Sequence, residues 1–294
     1  MSSGGQSAGT GAAVARTRAH VTEVPVAPSP VAATLSAPEL LTDRRFSVLG
    51  VSVDAVQIPD VISQMRDWVE RRETGHYIAV TGMHGVMEAQ HDARFRRVLA
   101  DAGLVVPDGM PLVWIGRLRG QALRRRVYGP ELLLRFCEDT SRTHCRHFFY
   151  GGEEGLAKQL AESLAQSCPG MKIVGTYSPP FRSLTPEEDV EVTEQINRAA
   201  PDVLWVGLST PKQELWMSEH RDVLRVPVMV GVGAAFDFLS ARKKQAPLWM
   251  REHGLEWLFR LSREPRRLWR RYLINGPEFV FLVVLELLGL RRFD

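Results

Sequence analysis

From Arg45 onward, short apolar runs alternate with stretches whose apolar residues recur every three or four positions. These two periods separate strands from helices. Residues 46–53 alternate as a strand and end at the polar Asp54. Ile58, just before, and Val61, Ile62, Met65 and Val69 share one helical face of a predicted helix over residues 59–72. A short apolar strand at 77–80 ends at Thr81, and a helical stretch runs through 95–99. A strand at 104–106 runs into Pro107-Asp108-Gly109, and a helix over 128–138 follows Gly129-Pro130.

The second half repeats the alternation. Strands are predicted at 147–150, 172–177, 203–206 and 228–232, with a helix over 153–165. Another helix starts after Thr185, an N-cap residue followed by Pro186 and by Glu187-Glu188 in the first turn. Short apolar strands alternating with helices predict βαβ units, hence an α/β protein with a Rossmann-like parallel sheet flanked by helices. Ligands of such sheets bind at the carboxyl ends of the strands.

Three segments are expected. Residues 1–40 are rich in Ala, Ser, Gly, Thr, Val and Pro without periodicity, the pattern of a disordered tail. Residues 41–254 form the α/β core. Residues 255–294 form an Arg-rich helical appendage. The longest apolar run, 279–290, is shorter than the ~20 residues of a membrane span. It reads either as a helix packed on the core or as a tail on a membrane surface.

Composition narrows the chemistry. The net charge of +3 over 294 residues is too mild to point to nucleic acid. Cys137, Cys145 and Cys168 lack disulfide or zinc-site spacing and suit a reducing cytosol. P-loop, dinucleotide, HExxH and GxSxG motifs are missing. There is also no Asp-x-Asp, so neither a metal nor a cofactor is expected.

Polar or glycine-rich clusters follow five of the predicted strands: Thr81 to His84, Pro107 to Gly109, Gly151-Gly152, Gly207 to Glu214, and Gly231 to Asp237. Together they suggest a composite site on one rim. Each also has a plainer explanation. Pro-Asp-Gly is a turn former, and Asp108 is either a turn residue or a general base. Gly151-Gly152 is either tight turn chemistry or a close approach to phosphate. Thr81 could simply satisfy backbone groups, His84 could simply start a helix, and Asp237 could be a structural carboxylate between Phe236 and Phe238. Arg260, Arg263, Arg266, Arg267, Arg270 and Arg271 are interleaved with Trp257, Leu258, Leu261, Leu268, Trp269 and Tyr272. On one continuous helix most of these arginines share a side, although Pro265 can divide it. Arginine suits bidentate phosphate contacts. A nucleotide diphosphate, a lipid diphosphate and an anionic membrane all fit.

At these residues the chain resembles the WecG/TagA/CpsF family of bacterial glycosyltransferases. The motifs are V-x-P-D-G at 105–109, F-Y-G-G at 149–152, G-L-S-T-P-K-Q-E at 207–214 and G-V-G-A-A-F-D-F at 231–238. Q-A-P-x-W-M at 245–250 and G-L-E-W-L-F-R-L-x-x-E-P-R-R-L-x-R-R-Y at 254–272 complete them. The resemblance implies inverting transfer of a sugar, often N-acetylmannosamine, from a UDP donor to a polyprenyl-diphosphate-linked sugar, without an Asp-x-Asp-bound metal. It implies Asp108 as general base, with Thr81 lining the pocket. Arg126 and Gln213 match family motif positions, and Arg260, Arg267 and Arg270 match arginines of an appendage that closes over the site at the membrane. Many members carry T-x-N after the second strand. Here Met83 stands at the Asn position and is followed by His84. Either His84 takes over that role or the acceptor sugar differs.

The expected site therefore comprises Asp108, Thr81 and His84 for chemistry. Arg126, Gly151, Gly152, Gln213, Glu214, Asp237, Arg260, Arg267 and Arg270 are expected to bind substrate. The expected setting is the inner face of the cell membrane, peripheral and cytoplasmic, with a homo-oligomer left open. Two other classes fit parts of the chain. One is a nucleotide-dependent Rossmann-like oxidoreductase, which the missing dinucleotide fingerprint disfavours. The other is a non-enzymatic membrane-associated binding protein, which leaves the strand-end clusters unexplained.

Overall fold

Eight strands form two sheets in the computed structural model, which describes residues 44–293. The tail expected over residues 1–40 lies outside the described residues. β1 (Arg45–Val48) and β2 (Val51–Asp54) pair antiparallel. β3 (His76–Thr81), β4 (Leu104–Pro107), β5 (Arg146–Gly151), β6 (Lys172–Tyr177), β7 (Val203–Gly207) and β8 (Val228–Gly231) form an all-parallel sheet. Its order is β4-β3-β8-β7-β5-β6.

The hairpin corrects the single strand expected over 46–53. Leu49 and Gly50 both have positive φ, 50° and 75°, as a two-residue hairpin turn of the primed type requires. Asp54 is buried and ties the hairpin to the main sheet. It accepts hydrogen bonds from Val105 N at 2.7 Å and Arg45 Nε at 2.8 Å.

Alternation along the main strands builds a core on each face. Tyr77, Ala79, Phe148, Tyr150, Leu204 and Val206 pack with the helices Met83–His91, Ala93–Ala100 and Asn275–Leu287. Ile78, Val80, Phe149, Val203 and Trp205 pack with the helices Ile58–Arg71, Gly129–Thr140 and Leu156–Ser167. A sheet covered on both faces needs strands with apolar runs, which the inner strands supply, while the edge strand β6 is half-exposed. Thr185 caps the helix Pro186–Ala199 as expected, in a reciprocal capping box with Glu188.

Because all six strands run one way, their carboxyl ends lie on one rim. The first and last strands of this sheet, β3 and β8, lie side by side where the chain order reverses, the place where such sheets form a crevice.

Pro265 does divide the Arg-rich stretch. Helices Glu256–Arg263 and Pro265–Trp269 meet at Glu264, a π-helical turn spans Arg270–Ile274, and the helix Asn275–Leu287 follows. The 279–290 run packs on the core through one side of the last helix and leaves other residues uncovered. Phe279, Leu282 and Val283 are buried, while Val280, Phe281 and Leu288 are 60–66% exposed. Glu286 fastens the helix by accepting from Leu49 N and pairing with Arg119 at 2.8 Å. Among the described residues, no helix is long and apolar enough to cross a membrane.

Candidate active site

Asp108 directly follows β4, and its N–H donates to Thr81 O at the end of β3 (2.9 Å). Gly129 N, at the start of the helix Gly129–Thr140, donates to its Oδ1 at 3.4 Å. A helix N-terminus carries partial positive charge, which favours a carboxylate there. Burial outweighs this, and outweighs the attraction of Arg126. With some repulsion from Glu256, the Asp108 carboxyl is pushed up to about 7. A carboxylate poised there holds a proton more tightly than a free one yet is ionised near neutral pH.

Arg126 braces this position. Its Nη1 donates to Asp108 O at 3.2 Å, its Nη2 pairs with Glu256, and its guanidinium lies 4.2 Å from the centre of the Tyr128 ring. Tyr128 Oη donates to the other Glu256 oxygen at 3.4 Å. Glu256 is the first residue of its helix and is buried. Its partner lies 130 positions back in the chain, so no local sequence signal marks the pair.

Thr81 is buried and its Oγ1 has no hydrogen-bond partner. Its methyl group occupies the space a side chain at Gly85 would need (2.8 Å). His84 Nδ1 is likewise unpartnered and stands 3.5 Å from Glu88. Burial, with Arg271 and Arg260 nearby, pulls the His84 imidazole down to about 4, so it is neutral at physiological pH.

Gln213 and Glu214 open the helix Lys212–His220 and are buried. Gln213 Nε2 and Thr210 Oγ1 donate to Glu214 Oε1 at 2.9 and 2.8 Å. Gln213 Oε1 and Glu214 Oε2 remain without partners. Burial raises the Glu214 carboxyl above the usual range. A side chain at Gly231 would collide with Gln213 (2.9 Å), so the glutamine lies hard against the end of β8.

The C-terminal helices bring the arginines, but not all those expected. Arg260 is half-buried, 5.9 Å from the Phe238 ring centre. Arg267 is exposed and pairs with Glu264 at 2.7 Å. Arg270 is exposed over Trp269, whereas Arg271, outside the expected set, is only partly exposed, with an unpartnered buried Nε. Arg271 is close enough to His84, Glu214 and Asp108 to influence their charge states or be influenced by them. The π-helical turn beginning at Arg270 changes the helical phase there, which an even 3.6-residue wheel misses.

Asp237 pairs with Lys243 at 3.5 Å, and Lys243 also pairs with Glu264 at 2.8 Å. This network borders a basic cavity of about 340 Å³ lined by Lys243, Lys244, Arg260, Arg263 and Arg267. Gly151 and Gly152 serve packing: a side chain at Gly151 would stand 2.7 Å from Gly207, and Gly152 N already donates to Gly207 O at 3.0 Å. A larger cavity of about 870 Å³ lies between the helices Ile58–Arg71 and Gly129–Thr140. Its charges of both signs offset one another, as in the Arg66–Asp139 pair at 3.6 Å, and none of its lining residues has an unpartnered buried polar atom. Of the eight described residues with an unpartnered buried polar atom, five gather at the rim, Thr81, His84, Gln213, Glu214 and Arg271; the others are Arg119, Trp216 and Arg251.

Comparison with known proteins agrees with this architecture. Residues 46–293 match the family described as Glycosyl transferase WecG/TagA/CpsF family. A Bacillus spizizenii protein named N-acetylglucosaminyldiphosphoundecaprenol N-acetyl-beta-D-mannosaminyltransferase is 30% identical, over 78% of this chain and 89% of its own. Proteins of the same name from Bacillus subtilis (28% identical, 78% and 90%) and Staphylococcus aureus (24%, 81% and 92%) also match. The fold and the family match define a glycosyltransferase on a Rossmann-like sheet. The chain belongs to the WecG/TagA/CpsF family. The oxidoreductase and the non-enzymatic binding protein are thereby set aside.

Proposed function

We propose that this enzyme transfers an N-acetylmannosamine-like sugar from a UDP donor to a polyprenyl-diphosphate-linked sugar, with inversion, in the synthesis of a cell-surface polysaccharide or teichoic-acid-type glycan. The observation that carries this reading is the convergence of unpartnered buried polar groups around Asp108 at the β3/β8 crevice, beside a basic cavity. The relatives' names support the acceptor class and the transferred sugar.

In this mechanism the ionised Asp108 takes the proton of the acceptor hydroxyl as its oxygen bonds to the anomeric carbon. The bond from that carbon to the UDP oxygen breaks, and its electron pair leaves with the diphosphate. By analogy with glycoside hydrolysis, the transition state resembles an oxocarbenium ion. Arg260, Arg267 and Arg271 supply positive charge where the diphosphate gains negative charge. Arg126 positions Asp108 through its main chain. Thr81, the neutral His84 and Gln213 offer hydrogen bonds to the sugars.

Residues 255–294 act in this reading as an appendage that rests on a membrane surface. Supporting this are the bare apolar residues Leu273 and Ile274, in the same π-helical turn as the exposed Arg270, and Val280, Phe281, Leu288 and Leu290 further along, after the helices that carry the exposed Arg263 and Arg266. The test is an assay with UDP-N-acetylmannosamine and N-acetylglucosamine carried on a short prenyl diphosphate. Transfer by the wild type and its loss in Asp108→Asn are expected. A wild type that neither binds UDP nor transfers from any UDP-sugar overturns the proposal.

A further inference from the structure

A second basic pocket opens beside the same carboxylate. It has a volume of about 380 Å³ and lies between the helix Met110–Leu118, which starts two residues after Asp108, and residues 248–253. Five arginines line it against two carboxylates, Glu131 and Glu252. Two of the five are already neutralised, Arg125 by Glu252 at 2.8 Å and Arg126 by Glu256. Arg117, Arg124 and Arg251 have no carboxylate partner among the described residues. Arg117 is spent on the carbonyls of Leu123 and Arg124. Arg251 lies 5.6 Å from the Tyr128 ring centre, and its buried Nε has no hydrogen-bond partner. A buried guanidinium N–H left open is costly unless an anion completes it.

The walls of this pocket differ from those of the cavity near Asp237. Met110, Trp114 and Leu248 contribute apolar surface. Trp114 and Leu248 are 45% and 56% exposed, and Leu118, one turn beyond Trp114, is 72% exposed. Trp114 is also held from behind, because a side chain at Gly254 would stand 3.0 Å from its ring. Arginines leading into a strip of bare apolar residues match a diphosphate that carries a hydrocarbon chain. A nucleotide diphosphate offers no such chain.

We propose that this pocket seats the diphosphate and the first isoprene units of the lipid acceptor, with Arg124 and Arg251 on the diphosphate and Trp114 against the hydrocarbon. The assignment rests on the function proposed above and locates its second substrate. Arg126 lines the pocket and also donates to Asp108 O, so a sugar joined to a diphosphate seated there lies beside the base. The two diphosphates of the reaction then occupy separate basic pockets, and neither has to leave before the other arrives.

The test is calorimetric titration of the full-length enzyme, saturated with UDP, with geranyl diphosphate and with inorganic pyrophosphate. Geranyl diphosphate is expected to bind more tightly than pyrophosphate. Arg251→Gln and the exposed Arg124→Gln should each weaken both ligands about tenfold, while UDP affinity and melting temperature stay at wild-type values. Trp114→Ala should weaken geranyl diphosphate alone, down to the affinity of pyrophosphate. If both arginine variants bind geranyl diphosphate like the wild type, the pocket is not the site. If they lose UDP in parallel, the pocket belongs to the donor. Equal wild-type affinity for the two probes overturns the hydrocarbon role of Trp114. A wild type that binds UDP but not geranyl diphosphate sinks this assignment alone, whereas one that does not bind UDP sinks the function on which it rests.

Discussion

Arg126 grips the Glu256 carboxylate with one end of its guanidinium and the main-chain carbonyl of Asp108 with the other. The start of the C-terminal helices is thus fastened to the proposed base. Arg126→Gln should raise the Asp108 pKa, because Arg126 lowers it. It should also leave Glu256 buried without its charge partner, at a cost of about 3–5 kcal/mol. Glu256→Gln should lower the Asp108 pKa by removing a repulsive charge. Acid limbs of the pH–rate profile that move in opposite directions for these variants verify the arrangement. Limbs that stay fixed in both would disprove it.

Asp108→Asn should cut turnover by about 10²–10⁴ while leaving UDP binding intact. Wild-type activity should fall as pH drops through about 7, where the carboxyl takes up its proton. Stability runs the other way. The folded protein keeps that proton up to about pH 7, whereas the unfolded chain releases it near 3.8. Stability from this group is therefore lost as pH rises between those values and is level above them. Asp108→Asn should accordingly raise the melting temperature at pH 8, by about 2–4 °C for each kcal/mol relieved. A mutant no more stable at pH 8 than the wild type contradicts the shift.

Arg271→Ala should weaken UDP binding and slow turnover on long and short acceptors alike, whereas Arg270→Ala should change either by less than about twofold. The contrast follows from the buried, unpartnered Nε of Arg271 and the exposed position of Arg270. Calorimetry with UDP decides it, and equal losses in both variants refute it.

Phe281→Ser and Leu288→Ser should reduce flotation with anionic vesicles and transfer to a long-chain acceptor. They should spare transfer to a short soluble acceptor and the melting temperature. Both side chains are more than 60% exposed. Deleting the whole run would be a poorer probe, because Phe279, Leu282 and Val283 belong to the core. Unchanged flotation in the double variant removes the membrane role from this face.

Chelation of divalent metals should leave turnover within about twofold of untreated enzyme, because arginines are placed to supply the charge at the diphosphate. Loss of activity with chelator and its return with magnesium or manganese counts against that role for Arg260, Arg267 and Arg271.

The sheet was legible because its inner strands, buried on both faces, are short continuous apolar runs; the half-exposed edge strand over residues 172–177 also appears in the structure with the bounds predicted. The helix Met110–Leu118 was missed because its residues, MPLVWIGRL, are apolar on nearly every side and show no period. The hairpin at Leu49-Gly50 was missed because a leucine with positive φ is an unusual turn residue. Asp108, Thr81 and Gln213 were legible as polar residues at or just after strand ends. Glu256 and Arg251 were not, because their significance depends on Arg126 and Tyr128, more than a hundred positions away.

The side-by-side placement of β3 and β8 has a consequence for how the enzyme comes into being. Thr81 and Asp108 leave the ribosome early, whereas β8, Glu256 and Arg271 follow only after more than a hundred further residues. A nascent chain that stops before β8 holds the proposed base but lacks the second wall of the crevice and the arginines. On the proposed function, catalytic competence therefore arises late in synthesis, after a long-range closure of the kind that slows folding. On that function, a truncated product lacking the last fifth of the chain is an incomplete site, not a weaker enzyme.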